Sequence, residues 1–317
     1  MIRVKGLSKS YERRQALNGL SFTVEKGEVC ALTGLKGAGK TTALDIIAGC
    51  MDADAGTVEI CGTDIAAETS SARQHIGYVP AEPPVWRDMT PRACLKMNAD
   101  VRGLLPRESG EKIDAAIKLL GLNDVADTPV KRLSAGAKQM LSIAQAVYFE
   151  PEAVIIDEPE QNLNPKEILA FREAVKTLAK DRAVLLASRN LTEMCALCSR
   201  VLVMSEGRVV AEGTPDQLHN MTQLADSVTL SVDGDGRAAA EVFGKVAGAA
   251  VEGVETKDGL AVVTVKMNGD LRRELFRAAA KADLPVVEMT AARRPLDELL
   301  ASLVTERVDA EGEGEDA

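Results

Sequence analysis

The sequence predicts an α/β protein built on a parallel sheet, followed by a small second domain of α+β type. Three observations carry that expectation. Residues 153–157, 183–187 and 201–204 are continuous apolar runs, the pattern of strands buried on both faces, with helical spacing between them. After about residue 225 the pattern restarts in the order β-α-β-β-α-β-α, as in a ferredoxin-like domain. The 317 residues are 46% hydrophobic and 27% charged, enough for two cores and too mixed for wholesale disorder.

In chain order, residues 2–4, 20–24 and 57–60 read as short strands between turns, an antiparallel layer. Within it, residues 28–33 form a strand that enters a glycine-rich turn. A helix follows at 41–48, apolar at helical spacing and closed by Gly49. Strand signals then give way to helical ones, marking a helical subdomain at about 90–150. The buried parallel runs come next, and the first domain, 1–222, ends after Gly213-Thr214-Pro215. The second, 223–305, has strands at 228–232, 251–254, 261–265 and 285–289, with helical runs at 237–247, 270–282 and 295–304. Residues 306–317 hold six acids and one arginine, a solvated tail.

The chain carries 38 basic against 48 acidic residues, net −10, and its basic residues do not cluster along the sequence, so nucleic acid is not expected as a partner. No apolar run reaches the roughly 20 residues that cross a bilayer, and Met1-Ile2-Arg3-Val4-Lys5 lacks a secretory apolar core. A soluble, cytoplasmic protein is expected. Six scattered cysteines read as reduced thiols; Cys195 and Cys198 form one C-x-x-C pair on a helical stretch, with no second pair to complete a zinc site.

Gly34-Leu35-Lys36-Gly37-Ala38-Gly39-Lys40-Thr41 fits G-x-x-x-x-G-K-[ST] between a strand and a helix. Glycines let successive N–H groups converge on a β-phosphate, and the helix that continues through Thr42 presents its positive end. Lys40 reaches the β- and γ-oxygens, and the Thr41 hydroxyl can ligate Mg²⁺. The run ending in Asp157-Glu158 places two acids at a strand end, where open α/β sheets bind ligands. Asp157 would hold Mg²⁺ through water, and Glu158 would orient or deprotonate an attacking water. Taken alone, two such acids are also ordinary surface charge.

Over residues 1 to about 220 these motifs and their order resemble the nucleotide-binding subunits of ABC transporters. The resemblance rests further on Leu133-Ser134-Ala135-Gly136-Ala137-Lys138-Gln139, placed where the family's signature segment belongs. It implies a P-loop NTPase cassette: a RecA-like core, an antiparallel β layer and a helical subdomain. It further implies ATP and Mg²⁺ as cofactors, ATP hydrolysis, and a homodimer or heterodimer around two ATP molecules. In that sandwich Ser134 and the Gly136 backbone would face the opposing subunit's γ-phosphate; Ser134 also fits a helix N-cap. Tyr11 looks like the aromatic that stacks on adenine, or else a ring packed on the edge layer. The partner implied is a separate integral-membrane permease, with this chain peripheral on the inner face of the cell membrane. The second domain, with Arg294-Pro295-Leu296-Asp297-Glu298-Leu299-Leu300, resembles extensions of ABC-2-type exporter subunits, including gliding-motility-type proteins.

The chain departs from the family pattern at several positions. Ala81 stands at the glutamine that senses metal and water, with Glu82 next to it but out of register. Arg189 stands at the switch histidine, where it could grip a γ-phosphate but cannot accept a hydrogen bond as neutral imidazole does. Asn164 replaces an acid, and the signature carries Ala135 and Ala137. Binding residues are present while those that time hydrolysis are changed, so an energy-coupling subunit with weak hydrolysis is expected; the alternative is a nucleotide-gated regulatory or scaffold subunit. Trp86, the single tryptophan, lies where the family touches the permease, and either an anchor or core packing fits it.

Overall fold

The computed structural model describes residues 1–291 apart from residues 13, 83, 85, 162, 223–226 and 258. The 295–304 helix, the Arg294–Leu300 segment and the acidic tail lie outside the described residues. The first elements are β1 (Ile2–Tyr11), β2 (Arg14–Val24), β3 (Val29–Thr33), α1 (Lys40–Ile47), β4 (Ala55–Ile60) and β5 (Thr63–Asp64). They are followed by α2 (Thr69–Gln74), β6 (Ile76–Val79), α3 (Pro91–Val101), α4 (Pro106–Leu119), α5 (Ala135–Val147), β7 (Ala153–Asp157) and α6 (Pro165–Ala179). Next come β8 (Ala183–Ser188), α7 (Leu191–Leu197), β9 (Arg200–Ser205), β10 (Arg208–Gly213) and α8 (Pro215–Thr222). The last are β11 (Ser227–Val232), α9 (Gly236–Gly244), β12 (Ala249–Lys257), β13 (Leu260–Met267), α10 (Arg272–Lys281) and β14 (Val286–Ala291).

Two compact units divide at Pro215 and Asp216. In the first, the expected antiparallel layer is the sheet β2-β1-β4-β5, and the expected parallel runs form β10-β9-β3-β8-β7-β6. All pairs from β9 to β6 are parallel, and β10 joins the edge antiparallel to β9. The short strands β6 and β10 extend this sheet beyond the runs that hydropathy picks out. All residues of β3, β7 and β8 are buried, since helices and the second layer cover both faces. Leu44 and Ile47 of α1 pack with Leu17 and Leu20 of β2 and Leu185 of β8 in one apolar cluster, which clamps α1 between the layers. Burying each such side chain contributes about 1.5–3 kcal/mol.

In the second unit, β12-β13-β11-β14 pair antiparallel throughout, although β11 and β12 are joined through α9 and β13 and β14 through α10. This is the split β-α-β topology expected of a ferredoxin-like domain. Alternation decides its core. Val228, Leu230 and Val232 face Phe243 and Leu275 of the helices, whereas Ser227, Thr229 and Ser231 lie on the other face.

Candidate nucleotide site

Strand order brings the site together. β8 lies between β3 and β7, so the turns after these three strands are neighbours. The turn after β3 is the glycine loop, the turn after β7 begins at Glu158, and the turn after β8 begins at Arg189. In the loop, Gly39 takes φ 100°, a left-handed value that favours glycine, and a Cβ there would strike the Ala16 carbonyl of β2. The loop can therefore tuck beneath β2 before α1 starts. Lys40 is buried, and its ammonium donates to the carbonyls of Gly34 at 2.7 Å and Leu35 at 3.2 Å. Burial pushes its pKa down; Glu158 and Asp157 oppose that shift, and Arg189 adds to it.

The Thr41 hydroxyl donates to Asp157 Oδ2 at 2.7 Å. The other oxygen, Oδ1, is buried and has no partner among the described residues. Burial pushes the Asp157 carboxyl up; Thr41 and Lys40 act against that, Glu158 with it. Glu158 follows with φ 45°, unusual for a side chain larger than glycine and costing about 1–3 kcal/mol. Its backbone N–H donates to Ala187 at 2.8 Å, and its carboxylate accepts from Arg189 Nε at 3.0 Å. The glutamate is nearly covered and the arginine half exposed. Two groups that hydropathy does not single out steady this turn. The Ser188 hydroxyl donates to the carboxylate of Glu160, whose pKa burial pushes up, and Ser188 Oγ accepts from the Asn190 N–H at 2.9 Å.

A cavity of about 540 Å³ opens over these turns, walled by Tyr11, Lys40, Thr42, Ala81, Glu158 and Arg189 among others. Lys36 and Gly37 also line it; Leu35 is half exposed, and Ala38 is buried beneath. Tyr11 is 42% exposed and lines the cavity, and its hydroxyl donates to Met51 Sδ at 2.8 Å, so the ring is tied to the edge layer while part of it stays open. Glu82, out of register with the family's glutamine, lines the cavity beside Ala81. Trp86, at 54% exposed, is not a core residue. The sequence reading also missed Arg14, another cavity residue, whose only sequence signal is its place across a two-residue turn from Tyr11.

Ser134 and Gly136 stand apart from this cavity, at the start of α5. Ser134 is the N-cap, accepting from the Ala137 N–H at 3.0 Å. Asn164 caps α6 in a capping box with Glu167, whose carboxylate also lies against Ser134 and Gly136. A methyl at position 136 would meet that carboxylate, so the Glu167 side chain would have to move. Cys195 lies on α7 and Cys198 caps it; all six cysteines are free thiols.

A phosphate loop at the end of a buried parallel strand, with a Thr–Asp pair behind it and an aromatic at its rim, defines a P-loop nucleotide-binding protein. The family model for ABC transporters matches residues 17–161. Among relatives, an uncharacterized ABC transporter ATP-binding protein of Bacillus subtilis is 34% identical over 66% of this chain and 68% of its own length. The Nod factor export ATP-binding protein I of Burkholderia lata is 33% identical over 68% and 71%. A solved ATP-binding subunit of an ABC transporter is 31% identical with TM-score 0.64, covering 70% of this chain and 92% of that one. A dimeric bacterial ABC transporter cassette, 22% identical with TM-score 0.63, shares the fold over 68% of this chain and 99% of that one. The chain belongs to the ABC transporter family: it is an ATP-binding subunit, in a family of ATPases. No helix among the described residues is long and apolar enough to cross a membrane.

Proposed function

We propose that this chain is the energy-coupling subunit of an ABC-2-type exporter whose ATP hydrolysis is held back by the Arg189–Glu158 ion pair. It works with a separate membrane permease at the inner face of the membrane, as a homodimer or with a second cassette. The observation that carries the restraint is the 3.0 Å contact between Arg189 Nε and Glu158 Oε1. A charge-assisted pair of that kind turns the carboxylate toward β8 and away from a water it would activate. Tyr11 offers a face for adenine, the loop amides and Lys40 hold the phosphates, and Arg189 is within the same cavity to bind a terminal phosphate in exchange for Glu158. Ser134 and Gly136 serve the partner subunit's nucleotide.

The residues present fit Mg²⁺. The buried, unpartnered Asp157 Oδ1 and the Thr41 hydroxyl are hard oxygen donors, and Mg²⁺ takes only one or two protein ligands beside phosphates and water. When bound, the ion supplies charge neutralisation at the phosphates. Thr41 and Asp157 hold the site for it, and Glu158, once released, accepts the proton of the attacking water.

Two results test the reading. Steady-state turnover of the purified chain is expected below the roughly 1–100 s⁻¹ of phosphoryl-transfer enzymes such as kinases. Arg189→His, which frees Glu158, should raise it by about tenfold, a barrier change near 1.4 kcal/mol. Unchanged or lower turnover in the variant would refute the restraint. For the permease, Trp86→Ala should leave ATP binding intact and weaken copurification from membranes; an undiminished yield of permease would remove Trp86 as the anchor.

A further inference from the structure

We propose that Arg14 is a nucleotide-binding residue whose guanidinium lies on the β-phosphate, an assignment that rests on the ATP site described above. Tyr11 and Arg14 are directly paired at the closed end of the β1–β2 hairpin. Paired residues in an antiparallel ladder project on the same face, so the hairpin sends an aromatic ring and a cation out together. Both line the cavity. Arg14 Nη2 donates to the Gly37 carbonyl at 2.8 Å, inside the phosphate loop. A Cβ on Gly37 would come within 2.6 Å of that nitrogen, so the glycine leaves room for the guanidinium against the loop.

Charge argues that this contact is not an end in itself. A guanidinium has five N–H donors, and among the described residues Arg14 uses one, with no carboxylate partner. That is unlike Arg189, Arg172 and Arg200, each of which meets an acid. Arg14 and the buried Lys40 line a single cavity together with Lys36. Cations gathered around one opening repel each other until an anion enters; of the two acids that line it, Glu158 is already engaged by Arg189, and among the described residues Glu82 forms no ion pair with Arg14, Lys36 or Lys40. Position selects the phosphate. Arg14 reaches the loop from the Tyr11 side, whereas Glu158 and Arg189 mark the terminal phosphate, and the loop amides beside Gly37 curl around the β-phosphate. The ligand group is therefore one that ATP and ADP share.

The experiment measures ATP, ADP and AMP binding by the full chain carrying Arg14→Gln or Arg14→Lys. Glutamine keeps a donor for the Gly37 carbonyl and removes the charge; lysine keeps the charge. The proposal expects Arg14→Gln to weaken ATP and ADP equally, by about tenfold, to leave AMP unchanged, and Arg14→Lys to recover most of the loss. If Arg14→Gln binds both as the unaltered chain does, Arg14 is only a tie between the hairpin and the loop, and the proposal is overturned. A loss confined to ATP also overturns it, placing the arginine at the terminal phosphate. Lys40→Ala should abolish binding of both nucleotides in every case, so the loop's own role is checked separately.

Discussion

Glutamine at position 158 is expected to lower ATP turnover by about 10²–10⁴-fold, the contribution of a positioned general base, while ATP binding stays intact. The substitution preserves shape. Its amide oxygen can still accept from Arg189 Nε, and the backbone keeps its φ of 45° and the bond to Ala187. What disappears is a proton acceptor at Glu158, which lines the cavity and directly follows Asp157 of the metal-holding pair. The decisive comparison uses the faster background. If Arg189→His raises turnover by releasing Glu158, adding Glu158→Gln must bring it down to the floor, measured as phosphate release alongside equilibrium ATP binding. A double variant as fast as Arg189→His alone would mean that another group activates the water and that the ion pair restrains nothing.

Much of this site was legible in the sequence because its chemistry depends on chain neighbours. A phosphate loop, its lysine and its Thr41 are contiguous, and Asp157 and Glu158 close an apolar run whose burial is itself a sequence signal. What could not be read are contacts between segments far apart in the chain. The pairing of Glu158 with Arg189 spans 31 positions, and Arg14 with Gly37 spans 23. Both depend on strand order and hairpin register, which hydropathy does not specify. Charge shows the same limit. Basic residues do not cluster along the chain, yet Arg14, Lys36, Lys40 and Arg189 gather around one cavity in a protein of net charge −10. Asn164 illustrates the converse. As a departure from the family's acid it stands among the changes that point to weak hydrolysis, whereas locally it forms a complete capping box with Glu167.

Asp157→Asn is expected to separate stability from function. Without ligand the variant should melt within about 1 kcal/mol of the unaltered chain. With Mg²⁺ and ATP it should lose nearly all Mg²⁺-dependent turnover. The pH dependence carries the sign. Burial raises the Asp157 carboxyl above its unfolded value, so the folded chain holds that proton to higher pH than the unfolded chain does. Stability then falls as pH climbs from the unfolded value of about 4 through the raised folded one, and the cost persists above it. Asparagine carries no such charge. Its melting temperature relative to the unaltered chain should therefore rise with pH across that window and level off beyond it. Saturating Mg²⁺ with ATP should reverse the order, because a ligand at 100 times its Kd adds about 2.7 kcal/mol to the chain that binds it. The buried oxygen that weakens the ligand-free fold is, on this account, the one that holds the ion, and both arms of the melting experiment must agree. If asparagine gains nothing at neutral pH and still responds fully to Mg²⁺ with ATP, Asp157 is neither the strained group nor the metal-holding one.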